Sequence, residues 1–168
     1  MRKSFSLAVV VLISVALAAC SFSRPPSRIP GSKPVRIMKF VPYAHDQAVK
    51  AYFTLADAET NQVAAGGTLR IRVFTKSQIS IMQNDKPSSS MTLERSLYDN
   101  TFAVGVTNFH WDHYGFFFRV DDLAMHFMVP YQNMIAPIPH GRVVTVQIDF
   151  SPEGVTNRLA AARKIVLY

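Results

Sequence analysis

Residues 68–75 read Thr-Leu-Arg-Ile-Arg-Val-Phe-Thr. In an extended chain Leu69, Ile71 and Val73 fall on one side and Arg70 and Arg72 on the other, because successive strand side chains point to opposite faces. A helix would scatter the three aliphatic residues around its axis, so the octet reads as a strand with one buried face. Residues 142–150, RVVTVQIDF, keep the same beat, with Val144, Val146, Ile148 and Phe150 on one face and Thr145, Gln147 and Asp149 on the other. Val49, Ala51, Phe53 and Leu55 repeat it again, and Ile79 and Ile81 carry the first strand's rhythm onward.

Outward from these runs, Phe102–Val106, Phe116–Val120 and Ile165–Tyr168 are rich in β-formers. Breakers separate them: Glu59–Gln62, Gly66-Gly67, Asn84–Ser90, Asp99-Asn100, Asp121-Asp122, Pro130–Gly141 and the turn Ser151–Gly154. Short strands with turn signals between them predict an all-β fold. The expectation is a single antiparallel β-sandwich over residues 40–168, immunoglobulin-like or transthyretin-like, with seven to nine strands. Two stretches, 44–51 and 156–164, also suit short helices. The Ala160-Ala161-Ala162 run favours helix locally, whereas its place after a turn favours a closing strand.

The chain has 168 residues, 18 Lys+Arg against 11 Asp+Glu, and one cysteine. Half of it is apolar and 17% charged, which excludes a disordered chain. A single cysteine excludes an internal disulfide and a multi-cysteine zinc site. The formal charge of +7 is unevenly placed. Arg2 and Lys3 take two of the basic residues, and Arg24, Arg28, Lys33, Arg36 and Lys39 take five more. Residues 40–168 hold 11 basic and 11 acidic residues, so the domain is formally neutral. No block of it interleaves basic and aromatic residues as nucleic-acid modules do, and no nucleic-acid partner is expected.

The first nineteen residues place Met1-Arg2-Lys3 before an apolar run from Phe5 to Ala19, the pattern of a secretory signal peptide. The run is short of the roughly 20 apolar residues of a bilayer span. It ends Leu17-Ala18-Ala19-Cys20-Ser21. This resembles the lipobox of bacterial lipoproteins: an aliphatic residue, two small residues and a cysteine. The resemblance covers only the leader. It implies cleavage before Cys20, a diacylglycerol on its sulfur, and a membrane partner through that lipid. Ser21, rather than Asp, resembles the sorting pattern for the outer membrane, facing the periplasm, in Gram-negative hosts. A Cys20 so occupied is unavailable as a nucleophile or metal ligand. Residues 20–39 then form a lipidated N-terminus and a tether. Four of the chain's ten prolines, at 25, 26, 30 and 34, keep it extended, and its basic residues suit anionic head groups.

Two clusters could carry chemistry. Residues 102–118 hold seven of the 19 aromatics, around His110-Trp111-Asp112-His113-Tyr114-Gly115. His110, Asp112 and His113 offer ligands for Zn²⁺ or Cu²⁺, but on a strand His113 points away from the other two, so a turn would be needed. Trp111 and Tyr114, if exposed, would anchor a protein partner or a glycan. The second cluster is Met125-His126-Phe127-Met128 with Met134 and His140, suited to Cu(I). Here His126-Phe127-Met128 resembles the His-x-Met element of periplasmic copper chaperones. Those proteins carry further paired His and Met ligands upstream, which this chain lacks. Strand phase sends Met125, Phe127 and Val129 one way and His126 and Met128 the other. Asp121-Asp122 could serve a calcium site or a solvated turn.

Gly-x-Ser-x-Gly, His-Glu-x-x-His, P-loop and dinucleotide patterns are all absent, and Glu59, Glu94 and Glu153 are widely spaced, so nothing in the sequence supports a paired-carboxylate site. The expectation is a non-catalytic binding or assembly module of a cell-envelope complex, with an envelope protein partner and no cofactor beyond the lipid on Cys20. The alternative is a periplasmic copper- or zinc-binding lipoprotein.

Overall fold

The computed structural model describes residues 32–83, 86–114, 120–135 and 141–167. Cys20, residues 116–119 and His140 lie outside them, and so does the side chain of Tyr114. The described chain forms nine strands: β1 (Arg36–His45), β2 (Ala48–Ala56), β3 (Gln62–Val63), β4 (Gly67–Gln83), β5 (Lys86–Val104), β6 (Phe109–Tyr114), β7 (Val120–Pro130), β8 (Val143–Pro152) and β9 (Leu159–Val166). Its only helical pieces are the single 3₁₀ turns Val106–Asn108 and Tyr131–Asn133.

All pairings are antiparallel. One sheet runs β1-β2-β7-β6, with the two-residue β3 added beside β2; the other runs β5-β4-β8-β9. Apart from β3, this is the immunoglobulin-like of the two expected arrangements, with β5 in the place of the first of the two strands that variable-type domains add.

The alternation read in the sequence is the alternation of burial. Leu69, Ile71 and Val73 are buried, as are Val144, Val146, Ile148 and Phe150, and they meet Val49, Phe53 and Leu55 of the opposite sheet in one core. Phe53 sits at the seam, 5.7 Å from the Phe109 ring and 5.9 Å from Phe150. Phe74 is buried off the beat, beside a register shift between Val73 and Phe74. Its ring lies 5.0 Å from the Arg72 guanidinium and 5.3 Å from Lys76 Nζ, so two cations cover it on the polar face.

Both stretches that suited helices are extended. Asp46, at φ 47°, turns the chain tightly between β1 and β2 instead of starting a helix. Ala160, Ala161 and Ala162 pair with Asp149, Ile148 and Gln147, so sheet closure overrides alanine's local preference. Three expected breakers also fall inside strands. Asp99-Asn100 and the Lys86–Ser90 part of the Asn84–Ser90 stretch lie within β5, and Asp121-Asp122 within β7. Charge pairing explains the aspartates. Asp99 takes two hydrogen bonds from Arg70, at 2.7 and 2.6 Å, which hold its carboxyl below the usual range.

The two ends of the sandwich differ. The chain enters at one pole, where Val35 N–H donates to the Ala56 carbonyl and Lys33 Nζ to the Gly154 carbonyl. Gly67 of β4 starts at this same pole, opposite Pro152. β4 stays beside β8 only as far as Phe74, which faces Thr145. From Thr75 to Gln83 its only strand partner among the described residues is β5. Nine residues of strand span about 30 Å, so β4 and β5 leave the sandwich as an arm at the pole opposite the chain's entry.

Candidate functional site

On the outer face of the β1-β2-β7-β6 sheet, antiparallel register brings Tyr43, Lys50, Tyr52, His126, Met128, His110 and Asp112 to one surface. His126 Nε2 lies 2.5 Å from Asp112 Oδ2, and its ring stacks against Tyr52 at 5.5 Å. His113 is on the opposite face, with Nδ1 2.5 Å from Asp121 Oδ1. β6 stays extended across these residues, so His110 and Asp112 do not converge with His113. Among the described residues no three His, Cys, Asp or Glu side chains group to hold a metal ion. The Met-His cluster splits as strand phase requires: Met125 and Val129 are buried, and His126 and Met128 are exposed. Trp111 faces Leu123 and is half-buried against the core, which removes most of its surface from any partner.

Asp121 and Asp122 form neither a solvated turn nor a shared ion site. They point to opposite faces, and Asp122, with a side chain 4% exposed, receives Lys39 Nζ at 2.5 Å and Gln62 Nε2 at 3.4 Å. The hydrogen bond from Lys39 to Asp122, opposed by partial burial and aided by the charge of Asp122, raises the lysine pKa above its ordinary value. The two halves of this pair are unequal. Lys39 is 39% exposed and keeps access to water, whereas Asp122 does not. Removing the lysine leaves a buried carboxylate, so Lys39→Met is expected to cost about 2 kcal/mol, discounted from a fully buried pair for solvent screening. Asp122→Asn is expected to cost under about 1 kcal/mol, since Lys39 can turn to solvent and Gln62 keeps an acceptor. Denaturant titrations of the two variants check this order. A group with a raised folded pKa stabilises while protonated, so this contribution is complete below the unfolded lysine pKa and disappears as pH climbs through the folded value.

The arm is the other distinctive surface, and in the sequence its residues carry only strand and turn signals. Pairing is regular from Phe74 opposite Ser96 to Ile81 opposite Ser89, with a register shift at each end. Residues 76–80 and 89–96 are exposed. Ile79 and Met91 face one another across the ribbon, Leu93 is next along the same face, and the three are 43%, 48% and 45% exposed. The other face carries Lys76, Gln78, Thr92 and Glu94, and Glu94 is paired with Arg72 of β4. A two-stranded ribbon is only marginally stable in water by itself.

No protein-family model and no curated protein matches this chain. Among the described residues β5, 19 residues long, is an edge strand, and its Leu97 carbonyl accepts the Ile135 N–H. Unpaired edge backbone with apolar side chains beside it is a surface suited to another strand.

Proposed function

We propose that this chain is a lipid-anchored lipoprotein of the cell envelope that works without catalysis, as a binding or assembly module. Cys20 carries the anchor, the residues from Ser21 up to the start of β1 form the tether, and the β4–β5 arm is the docking element; Arg36–Lys39, expected in the tether, belong instead to β1, where Lys39 is bound to Asp122. In a Gram-negative host the membrane is the outer membrane and the domain faces the periplasm. The observation that carries this reading is polarity: Lys33 and Val35 lie at one pole and the arm leaves at the other. A domain held at its entry pole would direct the arm away from the lipid surface, toward envelope proteins.

Two measurements on the full chain test it. Cys20→Ala should abolish fatty-acid labelling and move the protein from the membrane to the soluble fraction; a variant that stays membrane-bound ends the anchoring proposal. Cross-linking in intact cells should shift the unsubstituted chain to a larger species. Ile79→Asp combined with Leu93→Asp should remove that shift without changing thermal unfolding, since both residues lie beyond the sandwich. A shift that survives the double substitution would remove the arm from the interface.

A further inference from the structure

On the arm's edge strand the exposed apolar residues Met91 and Leu93 flank Thr92 evenly. β5 pairs regularly with β4 over residues 89–96, and the register shifts that bracket this stretch limit any added strand to about the same length. Directly opposed residues of an antiparallel pair share a face. Two identical strands related by a twofold axis must therefore meet with one residue opposite its own copy.

Three central registers can be compared. With Glu94 on the axis, two carboxylates face each other, which is unfavourable. With Leu93 on the axis, Leu93 faces its own copy and no like charges meet, but Met91 faces the partner's Arg95, so only one apolar pair forms. With Thr92 on the axis, Met91 faces the partner's Leu93 and Leu93 faces the partner's Met91. In that register Ser90 faces the partner's Glu94, a hydroxyl against a carboxylate, and no like charges are opposed. It also joins two half-exposed apolar stripes, Ile79–Met91 of one copy with Leu93 of the other, into one continuous surface.

We infer that the arm docks on a second copy of this chain, β5 against β5, with Thr92 on the twofold axis, so that the two β5-β4-β8-β9 sheets become one eight-stranded sheet. This rests on the proposal that the arm is a docking element and names its partner. The contact is small, as transient interfaces are. Anchoring on one membrane would strengthen it by raising the effective concentration of the arms.

The test is disulfide capture in the full chain. Thr92→Cys should give a dimer of twice the chain mass under mild oxidation. The expected yield is roughly tenfold above that of Thr101→Cys, exposed on the same strand beyond the register shift, because paired arms hold the two thiols at high effective concentration. The unsubstituted chain gives the background due to Cys20. Leu93→Asp added to Thr92→Cys should return the yield to that background, with thermal unfolding unchanged. Equal yields at 92 and 101, or no dimer at 92, overturn self-pairing. If self-pairing fails but Leu93→Asp still removes a cross-linked species of another mass, the arm docks on a different protein and only the identity of the partner is wrong. If Leu93→Asp alters neither, docking through the arm falls as well.

Discussion

Phe53→Ala is expected to lower the unfolding free energy by about 3–5 kcal/mol, the range for truncating a buried phenylalanine. Phe53 is fully buried in the middle of β2, and its ring reaches both Phe109 on its own sheet and Phe150 on the facing one. Truncation removes the transfer energy of the ring. It also opens a cavity between two sheets whose backbones are fixed by their ladders and cannot close in. Edge-to-face contact adds a smaller share, about 1 kcal/mol per pair. A domain of this size is stable by about 5–15 kcal/mol, so the variant stands at the margin of folding. Urea titration should show a large fall in midpoint at unchanged slope. Phe102→Ala is the comparison: Phe102 lies on edge strand β5, is 39% exposed, and should lose under about 1 kcal/mol. If the two losses are equal, Phe53 is not the seam between the sheets.

The same residues show what the sequence made readable. The beat of Leu69-Ile71-Val73 and Val144–Phe150 is set by one buried face, and that physics is local to each strand. The places where sequence and fold diverge all depend on a distant partner. Asp99-Asn100 reads as a breaker because an isolated aspartate favours turns, yet Arg70, diagonally across on β4, reaches its carboxylate and satisfies it. Asp122 is buried because Lys39, 83 positions away, reaches it. The alanine run of β9 is extended because β8 offers it a ladder.

Site residues divide in the same way. Strand phase alone separates His113 from His110 and Asp112, so the split of that cluster was legible. The meeting of Asp112 with His126 depends on the β6–β7 register, which nothing within either strand specifies. The arm was the least visible feature. Ile79, Met91 and Leu93 alternate like any half-buried strand, and only the end of the β8 ladder at Thr145 shows that they lie beyond the core.

Gly67→Ala is expected to destabilise by about 2–3 kcal/mol, as steric overpacking does where the obstructing atoms cannot move aside. A Cβ built on Gly67 would lie 2.3 Å from the Ser151 carbonyl oxygen, 3.0 Å from Pro152 Cα and 3.1 Å from Phe150 Cζ. Two of these are backbone atoms of β8, the strand that pairs with β4 at this point, so relief requires the ends of β4 and β8 to separate. The third belongs to a core ring, and moving it would loosen the contact with Phe53. Gly66 is a stringent control one residue away. Its added Cβ meets the Glu153 carboxylate at 3.2 Å and the Val104 carbonyl at 3.4 Å, and the nearer of the two can swing into solvent. Gly66→Ala should therefore change stability by less than about 0.5 kcal/mol. Denaturant midpoints of the two variants separate a requirement for close strand approach from a general need for a flexible loop. Equal losses at 66 and 67 would favour the loop, and a loss confined to 67 would show that glycine is there to let β4 reach β8.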